Sequence, residues 1–188
     1  MYGVADKCWA GVMRTLPVMS SIVRIGLVLA MSVFSASCRR TIHVDNWESF
    51  SVVLQRTACF GTCPVYTVTI RGSGLVEYVG SYNVDALGSR SAKIESDEVR
   101  NLVQAFNSIN FLGLRDRYSE RCTDMPTAII AISFDGKIKQ VSNYFGGCEG
   151  ETSGPQVDLN RLARQIDTTA GTVRWIKCGP GCATGSPN

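Results

Sequence analysis

Histidine is almost missing from the chain: 188 residues hold one, His43. With it go the Ser–His and Cys–His nucleophile pairs and the histidine metal sites, because each needs an imidazole inside a folded domain and His43 lies in a polar stretch ahead of one. Missing too is any apolar run of about 20 residues, the length a bilayer-spanning helix requires. Charge of one sign is also scarce. The formal net charge is +3, too small and too scattered for the clustered basic face that nucleic acid demands, and no nucleic-acid partner is expected.

What is present is a short apolar run, Ile25-Gly-Leu-Val-Leu-Ala-Met-Ser-Val-Phe34, followed by the small residues Ser35-Ala36-Ser37 and then Cys38. Its length suits the core of a signal peptide, which needs roughly 7 to 15 apolar residues, and Arg24 supplies the positive flank. Residues 1–37 are therefore expected to be a signal peptide, with Met13 or Met19 as starts that give a more ordinary length. Cys38 is the expected lipidation site. General signal peptidase cleavage at the same bond and an uncleaved anchor are the competing readings, since Ser35 stands where Leu or Val is more usual in a lipidation signal. Cysteine parity favours lipidation: seven cysteines run from Cys38 onward, and consuming one in a thioether leaves six that can pair. Two or three acyl chains anchor stably. Arg39 rather than Asp follows Cys38, so the usual inner-membrane retention signal is absent and the periplasmic side of an outer membrane is the expected address. Processing takes away Lys7, Arg14 and Arg24 from the 19 basic residues and Asp6 from the 16 acidic ones, which leaves a net charge of +1.

The remainder is enough for one domain with a real core. Residues 38–47 read as lipidated cysteine and tether, 48–177 as a single domain, and 178–188 as a mobile Cys/Gly/Pro tail. A strand is expected over Phe50–Arg56. Tyr66, Val68 and Ile70 alternate with threonines, turn at Arg71-Gly-Ser-Gly74 and return through Leu75–Val79 as a hairpin. Ser96 is placed as the cap of a helix whose Val99, Leu102, Val103 and Phe106 form one apolar stripe. The plan then repeats: Ala128–Phe134, the turn dipeptide Asp135-Gly136 and Lys137–Val141 form a second hairpin. Leu159, Leu162, Ala163 and Ile166 follow as a helical stripe between Pro155 and Gly171. Two hairpin-helix units predict an α+β domain: an antiparallel sheet with both helices on one face.

The sharpest motif is Arg56-Thr-Ala-Cys-Phe-Gly-Thr-Cys-Pro-Val-Tyr66. Together with Phe111-Leu-Gly-Leu-Arg-Asp-Arg-Tyr118, Thr123-Asp-Met-Pro-Thr127, Asp135-Gly-Lys137 and Arg174-Trp-Ile176, it resembles a bacterial envelope domain family of unknown function, DUF6438, over roughly Phe50 to Ile176. The resemblance implies a small exported domain, often behind a lipoprotein signal, and no assigned activity.

Cys59 and Cys63 can join only if the chain between them turns back, since a disulfide needs Cα atoms within about 4.4 to 6.8 Å. Gly61 permits that turn, and Pro64 biases Cys63 toward an extended conformation that launches the next strand. A redox-active pair is the alternative, but oxidoreductases space their cysteines one residue closer. Cys122 and Cys148 depart from the family pattern together and flank the second hairpin, which pairs them; Cys178 and Cys182 would close the tail. Six cysteines allow 15 connectivities, so the scheme is one of several. Structural zinc at Cys59/Cys63 and Cys178/Cys182 competes, although exported cysteines are usually oxidised first, and no metal or cofactor is expected.

An enzyme would have to use carboxylates. Asp116, Glu120 and Asp124 could serve cell-wall glycan hydrolysis, but their alternation with Arg115, Arg117 and Arg121 reads as a solvated loop. Tyr66, Tyr78, Tyr82, Tyr118 and Tyr144 read as core or cross-strand packing rather than a carbohydrate platform. The expectation is a lipid-anchored envelope protein that acts by binding or as a structural module, with an envelope protein or the cell wall as its partner. The runner-up is a periplasmic enzyme built on those carboxylates or on a Cys59/Cys63 centre.

Overall fold

The computed structural model describes residues 40–119, 124–144 and 154–176. Among these residues seven strands form one sheet: β1 (Ser51–Arg56), β2 (Val65–Arg71), β3 (Leu75–Tyr82), β4 (Gly88–Lys93), β5 (Arg117–Ser119), β6 (Thr127–Phe134) and β7 (Lys137–Tyr144). Their spatial order is β4-β3-β2-β1-β6-β7-β5. Among the described residues two helices, α1 (Ser96–Ser108) and α2 (Pro155–Ala170), complete an α+β domain.

The two hairpins expected from sequence flank β1, which pairs antiparallel with β2 on one side and β6 on the other. Period-two alternation decides the faces. Val52, Leu54, Tyr66, Val68, Ile70, Val76, Tyr78, Ala128, Ile130, Ile132 and Val141 are buried, while Val53, Thr67, Thr69, Ile129 and Ala131 between them are half-exposed on the other face. The helix stripes Val99/Leu102/Val103/Phe106 and Leu159/Leu162/Ala163/Ile166 are buried in the same core cluster, so both helices lie on one side of the sheet. Burying a side chain of this kind is worth about 1.5–3 kcal/mol.

Two strands carry no sequence signal. β4 reads Gly-Ser-Arg-Ser-Ala-Lys and is almost wholly exposed, so as a polar edge strand it has no apolar alternation to find. β5 has three residues and pairs parallel with β7, which makes the sheet antiparallel except for that one pair. The first helix is capped one residue earlier than expected: Glu95 is the cap, its N–H donating to the Glu98 carboxylate at 3.1 Å, and Ser96 is the first helical residue. The second helix has Pro155 at its first position and Gly171 left-handed just past its end, as expected.

The stretch placed in the tether is docked from Ile42 onward. Ile42 and Val44 are buried while Thr41, His43 and Asp45 are exposed, an alternation too short to register in a scan for strands. The segment then passes the β2–β3 turn, where a side chain on Gly72 would stand 1.9 Å from the Trp47 carbonyl oxygen, so only glycine fits.

Candidate functional site

Arg56, the last residue of β1, and Tyr66, the second of β2, are direct cross-strand partners and the first and last residues of the cysteine motif. Both side chains are on the helix face, and both reach Asp167 in the last turn of α2. The Asp167 carboxylate accepts four hydrogen bonds: Arg56 Nε (3.0 Å) and Nη2 (2.6 Å) on Oδ2, and the Tyr66 hydroxyl (2.7 Å) and Thr172 hydroxyl (3.1 Å) on Oδ1. Arg56 Nε also donates to the Tyr66 oxygen at 3.0 Å. A carboxylate in the last turn of a helix faces the negative end of the macrodipole, so this arginine is what makes the position tolerable.

Burial works against the Arg56 cation, but Asp167 and then Tyr66 more than offset it and hold its pKa above the usual value. Burial, followed by the Asp167 carboxylate, raises the Tyr66 pKa well above that of a free phenol, with Arg56 acting in the opposite sense. At neutral pH the cluster is a cation, an anion and a neutral phenol, each engaged with the others. Chemically that is a brace, since its carboxylate is already committed to four donors.

The brace underlies the loop 57–64. Cys59 and Cys63 stand 5.7 Å apart at Cα with their sulfurs at bonding distance, as the sequence indicated. Gly61 takes the positive φ of 147° that the tight ring needs. The loop is pinned to the start of β6 and to Asp124 ahead of it, from Thr57 outside the ring and from Phe60 within it. Thr57 N–H donates to the Thr127 carbonyl (3.1 Å), Thr127 N–H to the Thr57 hydroxyl (2.9 Å), and Phe60 N–H to the Asp124 carbonyl (3.0 Å). On the other flank, Asn83 Nδ2 donates to the Cys63 carbonyl at 3.4 Å. The product of all this ordering is Phe60, 89% exposed at the loop tip.

Other sequence candidates fall in separate places. Asp116 is engaged by Lys139 at the β5–β7 edge, and Asp124, left-handed and exposed, sits beside the disulfide loop. Glu120, Cys38, Cys122, Cys148, Cys178 and Cys182 lie outside the described residues. Tyr66, Tyr78 and Tyr118 are core residues, and Tyr144 accepts the Met125 N–H at 3.2 Å; Tyr82, the last residue of β3 and paired with Val65, is 61% exposed. His43 lies on the surface against Asp45. Sequence reasoning missed Asp167 and Thr172. The sequence offered no local signal for them: only with β1 and β2 paired so that Arg56 stands opposite Tyr66 on the covered face does the cation call for an anionic partner from the layer above.

No curated protein matches the chain. A family model described as a domain of unknown function, DUF6438, matches residues 50–170, from the residue before β1 to the end of α2 and through the brace and the disulfide loop. That span is well over half of the sequence, and the chain belongs to the DUF6438 family.

Proposed function

We propose that the protein is exported, lipidated on Cys38 after removal of residues 1–37, and held in the cell envelope on the periplasmic side of the outer membrane. There it acts by binding, through the loop 57–64, and not by catalysis. The observation that carries the reading is the combination of a Cys59–Cys63 ring, three hydrogen bonds to Asp124 and Thr127, and the Arg56–Tyr66–Asp167 brace around one exposed aromatic, Phe60. Ordering a loop in advance removes the entropy that binding otherwise spends on it, and an exposed aromatic on a rigid support is the usual form of an interface anchor. The paired cysteines also support an oxidising compartment.

Mass spectrometry of native protein tests the anchor: the expected N-terminus is acylated Cys38 with a Cys59–Cys63 peptide linked before reduction. Full-length cytosolic protein with reduced thiols contradicts it. A photo-crosslinking residue at position 60 tests the binding loop against one at Ile138, an exposed side chain of β7. A discrete adduct from position 60 alone is expected; equal labelling from both positions refutes the assignment.

A further inference from the structure

The segment ahead of β1 determines which end of the domain can face a lipid layer. Asn107, at the C-terminal end of α1, clasps Ile42 with both groups of its amide: Ile42 N–H donates to Oδ1 at 2.6 Å, and Nδ2 donates to the Ile42 carbonyl at 3.0 Å. Three residues on, the Asp45 and Asn46 amides donate to the Asp135 carboxylate in the β6–β7 turn, at 3.2 and 3.0 Å. Trp47 then lies against Gly72 in the β2–β3 turn, and Gly72 N–H donates to the Phe50 carbonyl at 2.9 Å. Ile42 to Phe50 is thus fastened along the end of the sheet made of tight turns. The loop 57–64 is at the other end of β1, about 20 Å away for a strand of six residues.

Chain length supplies the remaining constraint. Four residue steps separate Cys38 from Ile42, and an extended chain spans at most about 3.6 Å per residue, so Ile42 stays within about 14 Å of an acylated Cys38. That reach is shorter than the roughly 20 Å that β1 puts between the turn end and the loop, and it forbids the inverted pose in which the disulfide loop meets the bilayer while Ile42 stands off.

We infer, resting on the lipid anchor proposed above, that the turn end of the domain faces the bilayer and that the disulfide loop with Phe60 points away from it. The partner of the turn end is the lipid surface itself, met at short range without insertion. Near that end the exposed acids Asp45, Glu48, Glu95, Asp97 and Glu98 are interspersed with the exposed bases Arg71, Lys93, Arg100 and Lys137, so the face has no one-sided charge to pull it into the headgroups, whereas Arg39 and Arg40 in the tether are drawn to anionic lipid. The loop is thereby offered to partners across the periplasm, out of reach of the lipids that hold the protein.

The two tryptophans that survive processing report on this directly. Trp47 marks the turn end, and Trp175, whose carbonyl accepts the Ala86 N–H and whose ring stacks on Tyr78, marks the loop half. Mature lipidated protein is reconstituted into phosphatidylethanolamine–phosphatidylglycerol vesicles bearing dansyl headgroups, and the efficiency of energy transfer is measured for Trp175→Phe and Trp47→Phe. The variant that keeps Trp47 is expected to transfer at least twice as efficiently; equal or reversed efficiencies overturn the orientation. Should either variant fail to fold, the unsubstituted protein with ten Gly/Ser residues inserted after Arg40 serves instead. Its transfer is expected to fall by half or more, and unchanged transfer overturns the inference. Native protein that does not float with the vesicles at all overturns the anchor, and the orientation with it, and the flotation step identifies that failure separately.

Discussion

Replacing Asp167 by alanine attacks the brace at the one residue that all its members share. The substitution strips two charge-assisted bonds from Arg56 and one each from the Tyr66 and Thr172 hydroxyls. Breaking a fully buried ion pair costs about 3–5 kcal/mol. Here the lower end applies, because the Arg56 and Asp167 side chains keep 24% and 18% exposure and the Arg56–Tyr66 bond survives. Alanine recovers about 0.5 kcal/mol through helix propensity and relief of the unfavourable dipole position. The expected net loss is about 2.5 kcal/mol, roughly a 60-fold rise in the unfolding constant, or about 9 °C in Tm for a domain of this size. Urea unfolding of the oxidised protein measures it through a lower midpoint at constant slope. In an Arg56→Met/Tyr66→Phe background the same substitution should cost under about 1 kcal/mol, because the one donor that still loses the carboxylate is the Thr172 hydroxyl, which keeps the Asp167 carbonyl at 3.4 Å. A loss below about 1 kcal/mol in the native background, or an equal loss in both, refutes the brace.

Cys59→Ser with Cys63→Ser opens a very small ring, and the chain-entropy argument gives a loss of about 2 kcal/mol, read as a lower urea midpoint; an unchanged midpoint contradicts it. Gly72→Ala drives a methyl group into the Trp47 carbonyl and should cost at least about 2 kcal/mol, whereas Gly136→Ala, with φ of 73° but open space around it, should cost only about 1 kcal/mol of backbone strain. Comparable thermal shifts in the two would undo that reasoning. Tyr66 binds its proton more tightly folded than unfolded, so its contribution to stability is complete below the unfolded pKa near 10 and drains away as pH rises beyond it. Tyr66→Phe should flatten the loss of stability above pH 10 in denaturant titrations, and an identical alkaline slope rules this out. Asp135 has the opposite sign: two backbone amides, from Asn46 and then Asp45, lower its pKa below 3.8. Its hold on residues 45 and 46 is therefore complete above the unfolded value and lost as pH falls through the lowered one. Asp135→Asn should abolish that acid-side change in amide exchange at Asp45 and Asn46, and an unaltered profile counts against it.

Where residues had to choose between water and a core, the sequence declared itself. The alternation in β2 and the stripes Val99–Phe106 and Leu159–Ile166 are the patterns burial imposes, and each element lies where its pattern put it. Asp135-Gly136 turns the second hairpin because both residues accept left-handed backbone, at φ of 46° and 73°. β4 was hidden because an edge strand paired on one side and solvated on the other needs no apolar face. β5 was hidden because three residues cover only one and a half strand periods, too few to show an alternation. The docking of Ile42 and Val44 depends on Asn107 and Asp135, 65 and 89 or 90 residues away in sequence, and no local pattern encodes such a clasp. The candidate site divides the same way. Its local half, the cysteine spacing with Gly61 and Pro64, was legible; its distant half, Asp167 and Thr172, required knowing which helix covers which strand.

The position of β1 explains why an exposed loop carries so much reinforcement. As the strand between the two hairpins, β1 is bonded on both edges, so its C-terminal end emerges at the middle of the sheet and not at a frayed margin. A loop leaving from there is surrounded: β6 holds it through Thr127 and Asp124 on one side, Asn83 after β3 touches it on the other, and α2 clamps both its stems through Asp167. The disulfide closes the turn that carries Phe60, whose own N–H is held by the Asp124 carbonyl. For packing alone this is redundant, since the tip buries nothing. On the binding role proposed above, reinforcement from three directions holds the backbone that carries Phe60, so a partner meets a loop that is already ordered and no binding free energy is spent on ordering it.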